Sequence, residues 1–392
     1  MIALSERSNP QGMKRNGLNK EKKARASSEA DSGAGVQEVS RAYKTLKDIA
    51  AVAGVSAMTV SNILRPKKRE GRIAYSKQTA ERVMQVAQEI GYLPNRAARA
   101  MRTRETGVIG FVSANFSDKT GNVENFGVHP FLVGLNHVLS SSGRHVALVE
   151  LKELEVEQSH ELPDALRESF FDALVVHYGV SEEALHLLEK HKVPLIYWDS
   201  ASLNEVNCVY RNEVEVGRAV TQRLCDLGHK RIAFMTSRSS WEDINAGRSR
   251  HHSTKDRYEG YLLAMKVNRL KSEIVSGYQV EEMAEQIKQL GITGVVMQGG
   301  YVQLLRAAAL LNRRIPDDLS VLTCDLETSI KDRGDVSGGA CYNRYQAGRI
   351  VGEMLLKRLK TSGSDVRSVS LPVEVINGVT AAPPASENGN KV

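Results

Sequence analysis

TLKDIAAVAGVSAMTVSNIL, residues 45–64, decides how the rest of the chain is read. Leu46, Ile49, Ala50 and Ala53 recur at i, i+3, i+4 and i+7, which puts one apolar stripe on a short helix. Gly54 supplies the backbone freedom of a tight turn. Ser56 then stands at an N-cap position, and Val60, Ile63 and Leu64 give a second short helix its buried face. Two short helices joined by a glycine-containing turn make a helix-turn-helix, whose second helix fits the major groove of DNA.

The pattern T-L-x-D-I-A-x-x-A-G-V-S-x-x-T-V-S resembles, nearly residue by residue, the N-terminal signature of the lactose-repressor (LacI) family of transcription regulators. The resemblance runs over roughly residues 44–384. It implies an N-terminal all-α headpiece followed by an α/β core of two Rossmann-like, periplasmic-binding-protein-like subdomains. It further implies binding to an operator in double-stranded DNA as a homodimer, under control of a small-molecule effector such as a sugar or related metabolite.

The charge is distributed as that reading requires. The whole chain of 392 residues carries +7, yet the segment up to Thr106 holds 21 Lys and Arg against 10 Asp and Glu, leaving the remainder at −4. Cations near phosphates gain by releasing condensed counterions, so a polyanion partner is expected for the front of the chain. A basic front serves RNA or an anionic membrane equally well; the helix-turn-helix decides for DNA. Residues 1–40 are rich in Ser, Gly, Asn, Lys and Glu and read as a disordered basic tail, either adding nonspecific DNA attraction or passive. The opening MIALSERSNPQGMKRNGLNK lacks the apolar core of a signal peptide, and no run of 18 apolar residues occurs, which favours the cytoplasm over a periplasmic binding protein.

Residues 41–93 form the headpiece. After the recognition helix comes RPKKREGRIAY, a loop longer than the family's, whose Lys67, Lys68, Arg69 and Arg72 either reach phosphates or are simply solvated. A third helix is expected from Ser76, with Ala80, Val83, Ala87 and Ile90 inward and Gly91 as its stop. Residues 94–106 resemble the family's hinge helix: Pro94 and Asn95 are start signals, and Ala98 permits close approach to a groove floor. So short a helix is marginal alone, and is expected to form when DNA and a partner hinge hold it. Where the family wedges a Leu into the minor groove, this chain has Met101, an unbranched and softer wedge. Arg102 adds charge beside it.

From 107 to 384 apolar strands (GVIGFVS, HVALVE, FDALVVHY, VPLIYWD, HKRIAFMTS, TGVVMQ, LSVLTCD) alternate with amphipathic helices, which predicts parallel sheets with right-handed crossovers. The expected N-subdomain takes about 107–210 and 343–370, the C-subdomain about 211–342 and 371–384.

For base readout, Ala57, Met58, Ser61 and Asn62 are expected to face away from the Val60/Ile63/Leu64 stripe. Asn62 can bond adenine bidentately, whereas Ala57 and Met58 offer apolar contact to a thymine methyl. The resemblance places Thr45, Leu46, Ser56, Thr59, Ser76, Tyr92 and Asn95 among the DNA contacts, the polar ones on phosphates, which set register. Plain helix capping by Thr45, Ser56 and Ser76 fits equally and is compatible.

An effector would sit at the C-terminal strand ends between the subdomains. Arg257-Tyr258-Glu259-Gly260 matches the family's R-x-x-G, whose Arg reaches a ligand oxygen; an ordinary surface arginine is the alternative. Asp325 and Asp199, each following a strand, match ligand-bonding acids or are helix caps. Tyr278 matches a stacking position or is a core tyrosine. Asn115, Phe116 and Trp241 lie in long loops expected to overhang the cleft. Where the family has Asn-Asp, this chain reads Gln298-Gly299-Gly300, which puts an inherited sugar specificity in doubt.

Nothing points to catalysis or a cofactor. There is no G-x-S-x-G, no P-loop, and no G-x-G-x-x-G after a strand. The scattered histidines lack metal spacing, His251-His252 reads as a solvated pair, and Cys208, Cys225, Cys324 and Cys341 form no C-x-x-C and read as buried thiols. A sugar-binding transport protein and a regulator that answers to no ligand are the competing readings.

Overall fold

The computed structural model describes residues 44–64, 75–114, 128–151, 156, 160–168, 170–177, 180–199, 205–247, 252–328, 337–361 and 363–385. It divides into two units, one ending at Asn95 and the other beginning at Arg96.

The first unit is built from three capped helices. Thr45 and Asp48 form a capping box that opens α1 (Leu46–Ala53): the Asp48 N–H donates to the Thr45 hydroxyl, and Asp48 accepts the Thr45 N–H at 2.6 Å. Gly54 ends α1 in the left-handed region at φ 63°. Ser56 caps α2 (Ala57–Ile63) by accepting the Thr59 N–H at 3.1 Å, and Ser76 caps α3 (Lys77–Glu89) through Thr79 in the same way. Ile49, Val60 and Val83 are fully buried where the helices meet. Each such side chain contributes about 1.5–3 kcal/mol. Val86 joins Val83 and Ala87 in the core, while Ile90 is only partly buried.

The second unit opens with α4 (Arg96–Thr103), none of whose residues is buried. Two six-stranded sheets follow. The first takes β1 (Val108–Ser113), β2 (His145–Glu150), β3 (Ala173–His177), β4 (Leu195–Trp198), β5 (Cys208–Arg211) and β11 (Val369–Leu371), in the spatial order β11-β5-β4-β3-β1-β2, all parallel. The second takes β6 (Ile232–Thr236), β7 (Glu273–Ser276), β8 (Gly294–Met297), β9 (Ser320–Glu327), β10 (Gly338–Tyr342) and β12 (Val375–Ile376), in the order β12-β10-β9-β8-β6-β7, with β12 alone antiparallel. Strands β3, β6 and β8 are buried at every position, as expected of parallel strands covered by helices on both faces. The chain passes between the sheets after Arg211, after Tyr342, and between β11 and β12.

Each subdomain pairs two helices through glycines. Helix α5 (Val128–Ser141) lies so close to α13 (Arg344–Lys360) that a Cβ on Gly134 would fall 2.0 Å from the Tyr345 carbonyl oxygen. Helices α8 (Glu213–Asp226) and α10 (His252–Val267) repeat the device, a Cβ on Gly217 falling 1.9 Å from the Arg257 carbonyl oxygen. The remaining helices are α6 (Asp164–Arg167), α7 (Glu182–Lys190), α9 (Arg238–Asn245), α11 (Val280–Gln289) and α12 (Tyr301–Leu310).

Helix α9 corrects the sequence reading, which had a loop there. Ser237 caps it, accepting the Ser240 N–H at 3.0 Å, but no residue of α9 is buried, so it left no apolar period to read. His252 is another correction: it opens α10, holds Asp256 at 2.9 Å and is only 13% exposed, not a solvated loop residue. The four cysteines are free thiols, Cys208 and Cys324 buried and Cys225 and Cys341 half-buried. No helix among the described residues is long and apolar enough to cross a membrane.

Candidate functional site

Two separate surfaces carry chemistry. On the headpiece, Met58 is 70% exposed, Asn62 is exposed and Ala57 is half-buried, so α2 offers an apolar contact and an amide on one free face. Ser61 does not belong with them. It is buried beside Val60, because a helix this short packs on two neighbours and its buried stripe is wider than the apolar residues indicate. The hydroxyls of Thr45, Ser56 and Ser76 are engaged as caps, and Ser56 also meets the Thr59 hydroxyl at 2.9 Å. Leu46 and Tyr92 are half-buried against the headpiece core, and Asn95 is exposed. On α4, Ala98 and Arg102 are exposed, and Met101 is 87% exposed. Lys67, Lys68, Arg69 and Arg72 lie outside the described residues, as do the 1–40 tail, Asn115 and Phe116.

In the core, the C-terminal ends of strands from both sheets converge on a network of arginines and carboxylates. Arg211, ending β5, donates to Glu213 through Nε at 3.0 Å and Nη2 at 3.2 Å, and to the Cys324 carbonyl at 3.0 Å. Arg257, on α10, meets the same Glu213 at 2.5 Å through Nε and donates to the Gln298 amide oxygen at 2.9 Å. Its Nη2 lies 3.9 Å from Asp325. Arg344, opening α13, holds Asp325 at 2.5 Å and Glu327 at 3.1 Å. Tyr342 lies between two cations, Arg211 at 4.6 Å and Arg344 at 4.3 Å from its ring centroid, and accepts a hydrogen bond from Trp198 Nε1 at 3.0 Å. Trp198 in turn stacks on Phe131 and His177. Arg211, Arg344 and Tyr342 therefore tie the two subdomains together across the interval between them.

The charges settle one another. Burial opposes ionisation of Asp325, but Arg344, Arg211 and Arg257 outweigh it and hold its carboxyl at about 2. Glu213 behaves likewise: burial would raise its pKa, but Arg257 and Arg211 bring it below the ordinary carboxylate value. Three polar atoms at these strand ends are buried without a hydrogen-bond partner among the described residues: Arg211 Nη1, Thr236 Oγ1 and Asp325 Oδ1.

Of the residues picked from sequence, Arg257 and Asp325 fall inside this network. Arg257 is no surface arginine; only 5% of it is exposed. Asp199 follows Trp198 in the left-handed region at φ 53° and acts electrostatically on His252. Tyr278 is half-buried, with burial raising its phenol pKa, and its ring lies where a Cβ on Gly300 would sit, 2.6 Å away. Trp241, on α9, meets Tyr258 edge-on at 5.3 Å. Arg211, Glu213 and Arg344 escaped the sequence reading; the one signal for them was their position at or just after a strand end, Arg211 closing β5, Glu213 two residues on and Arg344 two residues past β10. No His, Cys, Asp and Glu group among the described residues has a metal-binding arrangement.

Residues 45–95 match the family described as bacterial regulatory proteins, lacI family. The headpiece is a LacI-family helix-turn-helix domain. Residues 119–291 match the periplasmic binding proteins and sugar binding domain of that family, and 221–380 match a periplasmic binding protein-like domain. Over 203 residues the chain is 32% identical to the maltose regulon regulatory protein MalI of Escherichia coli, spanning 50% of this chain but only 54% of MalI. The sucrose operon repressor of Pediococcus pentosaceus is 24% identical across 86% of this chain and 99% of its own length. Among solved structures, the lac repressor dimer bound to operator and the anti-inducer ONPF shares the fold at TM-score 0.68 and 18% identity, covering 87% of this chain and 99% of that one.

Proposed function

We propose that this chain is a LacI-family, sequence-specific DNA-binding transcription repressor that grips a near-palindromic operator as a homodimer in the cytoplasm, under control of a small carbohydrate-related effector. The observation that carries the reading is the free face of α2, with Asn62 and Met58 outward on a helix capped and buried on its other side, where Ala57 packs partly against the headpiece core. A two-fold dimer presents two such helices to two half-sites. Met101 is the groove wedge and α4 the hinge. The relatives are named as regulators, and no catalytic step is part of this reading.

The effector belongs between the subdomains, where Arg211 Nη1, Thr236 Oγ1 and Asp325 Oδ1 leave buried polar capacity. It acts by binding one arrangement of the core more tightly than another. A second reading, a regulator without an effector, draws on Arg257: Glu213 and Gln298 already engage it, and Gly299 and Gly300 offer no side chain in place of the family's Asn-Asp. Calorimetric titration of purified protein against mono- and disaccharides separates the two. Binding that shifts operator affinity supports the first; intact operator binding with no saccharide uptake supports the second.

A further inference from the structure

The segment after β12 is tied across the base of the second sheet more by side chains than by strand pairing. β12 itself pairs with β10 at two positions, Ile376 with Gly339 and Val375 with Ala340. Beyond it, Asn377 accepts from Arg223 Nε of α8 at 2.7 Å, and a Cβ on Gly338 would fall 1.9 Å from the Asn377 carbonyl oxygen. Thr380 is buried and bonds three ways. Its hydroxyl donates to the Val321 carbonyl at 2.7 Å and accepts the Gly338 N–H at 2.7 Å, while its own carbonyl accepts the Val321 N–H at 2.7 Å. Ser320 Oγ accepts the Ala382 N–H at 3.0 Å and donates to the Ala382 carbonyl at 2.9 Å. Ala381 joins Val220 and Leu322 in the core.

His229 holds the far end of this segment. It stands between α8 and β6 and is 1% exposed. Its Nε2 lies 3.0 Å from the Ala382 carbonyl, which can only accept, so Nε2 carries the proton. In the neutral ring Nδ1 then accepts from the Thr293 hydroxyl at 3.0 Å. A Cβ on Gly294 would fall 3.3 Å from the imidazole, which is therefore enclosed from β8 as well. The charged and titratable groups beside it in the chain are Cys225 and Asp226 at the end of α8, and Lys230 and Arg231 leading into β6. Asp226, Lys230 and Arg231 are exposed, and Arg231 donates away from the ring to the Leu290 carbonyl at 3.1 Å. Cys225 is a half-buried thiol that burial holds at about 11, hence uncharged. Thr293, Ser320 and Ala382 bring hydroxyls and a carbonyl, and no carboxylate. Burial pushes the His229 pKa down, and the Ala382 carbonyl opposes that shift.

We propose that residues 377–384 form a strap latched by His229, and that protonation of this imidazole releases it. With the strap down, a second proton puts an uncompensated charge in the interior; with the strap lifted, the ring meets water and titrates as an ordinary histidine. Thr293 does not resist the change, because its hydroxyl can turn to the Arg231 carbonyl at 3.4 Å once Nδ1 becomes a donor. The buried charge, not a lost hydrogen bond, sets the cost. The lifted form binds more protons, so latching is complete above the ordinary histidine pKa of 6.5 and is lost as pH falls below it. The proposal is independent of what the headpiece binds.

The test is hydrogen–deuterium exchange of the intact protein from about pH 7.5 to about pH 5, corrected for intrinsic rates and read on peptides covering the strap and, for comparison, α11. Wild-type exchange of the strap should be flat above about pH 6.5 and rise below it by at most about tenfold per pH unit, the limit for one linked proton. Helix α11 should not follow. His229→Gln, whose amide N–H takes the place of Nε2 without titrating, should flatten the strap's profile. Ser320→Ala removes one tie and no titrating group, so it should raise exchange at every pH while keeping the wild-type slope. A flat wild-type profile overturns the proposal, and so does an undiminished slope in His229→Gln. If the glutamine variant does not fold, the other two profiles decide: equal slopes confined to the strap support the latch, and a rise shared with α11 overturns it.

Discussion

Arg257 and Gln298 meet at 2.9 Å, the guanidinium donating through Nη1 to the amide oxygen. The same glutamine donates to Thr254 at 3.2 Å, so its amide links two residues of α10 to the end of β8. This chain spends the Gln298 side chain on orienting an arginine. That changes what removing Arg257 should do.

Arg257→Ala leaves Glu213 buried with Arg211 as its remaining arginine partner among the described residues. Breaking a buried pair from one side costs about 3–5 kcal/mol. We expect a lower denaturation midpoint for the core, with Arg257→Lys falling between the two. A variant as stable as wild type would make Arg257 a ligand arm without a structural share.

Asn62→Ala should weaken operator binding by about 1–3 kcal/mol and relax preference at one base pair, since its amide offers the paired donor and acceptor that adenine requires. Binding measured against a set of single-base operator variants checks this. Uniform weakening across the set would move Asn62 to a phosphate role.

Met101→Ala should lower operator affinity about tenfold or more while leaving thermal stability unchanged, because the side chain is 87% exposed in the free chain and supports no packing there. Fluorescence anisotropy and a melting curve read the two effects separately.

Acid should expose the Asp325 contacts. The folded carboxyl is held at about 2 against an ordinary 3.8, so ionised Asp325 contributes stability that is fully present above about pH 4 and is lost as pH falls toward 2. Urea midpoints across that window should fall more steeply for the wild type than for Asp325→Asn. Parallel curves would remove Asp325 from the acid limb.

Much of this was legible in the sequence because it is local. Thr45, Ser56 and Ser76 announce helix starts within three residues of the amides they cap, and continuous apolar runs such as ALVVH and IAFMT mark strands buried on both faces. Asp325 and Arg257 could be placed because each matches a short pattern. Their partners could not: Arg211 reaches the Cys324 carbonyl 113 positions away, and Arg344 becomes a neighbour of Asp325 only through the crossover from β10 to α13. Such pairings are fixed by topology and leave no periodic trace. Ser61 was misplaced for a different reason: a seven-residue helix packed on two neighbours buries a small polar residue that an apolar pattern cannot flag.

The most direct measurement is competition binding of the purified full-length protein to a duplex selected from random fragments, at moderate salt against random-sequence competitor. The account predicts a selected site with two related half-sites, bound at least about a thousandfold more tightly than the competitor. Equal affinity for selected and random duplexes would contradict it.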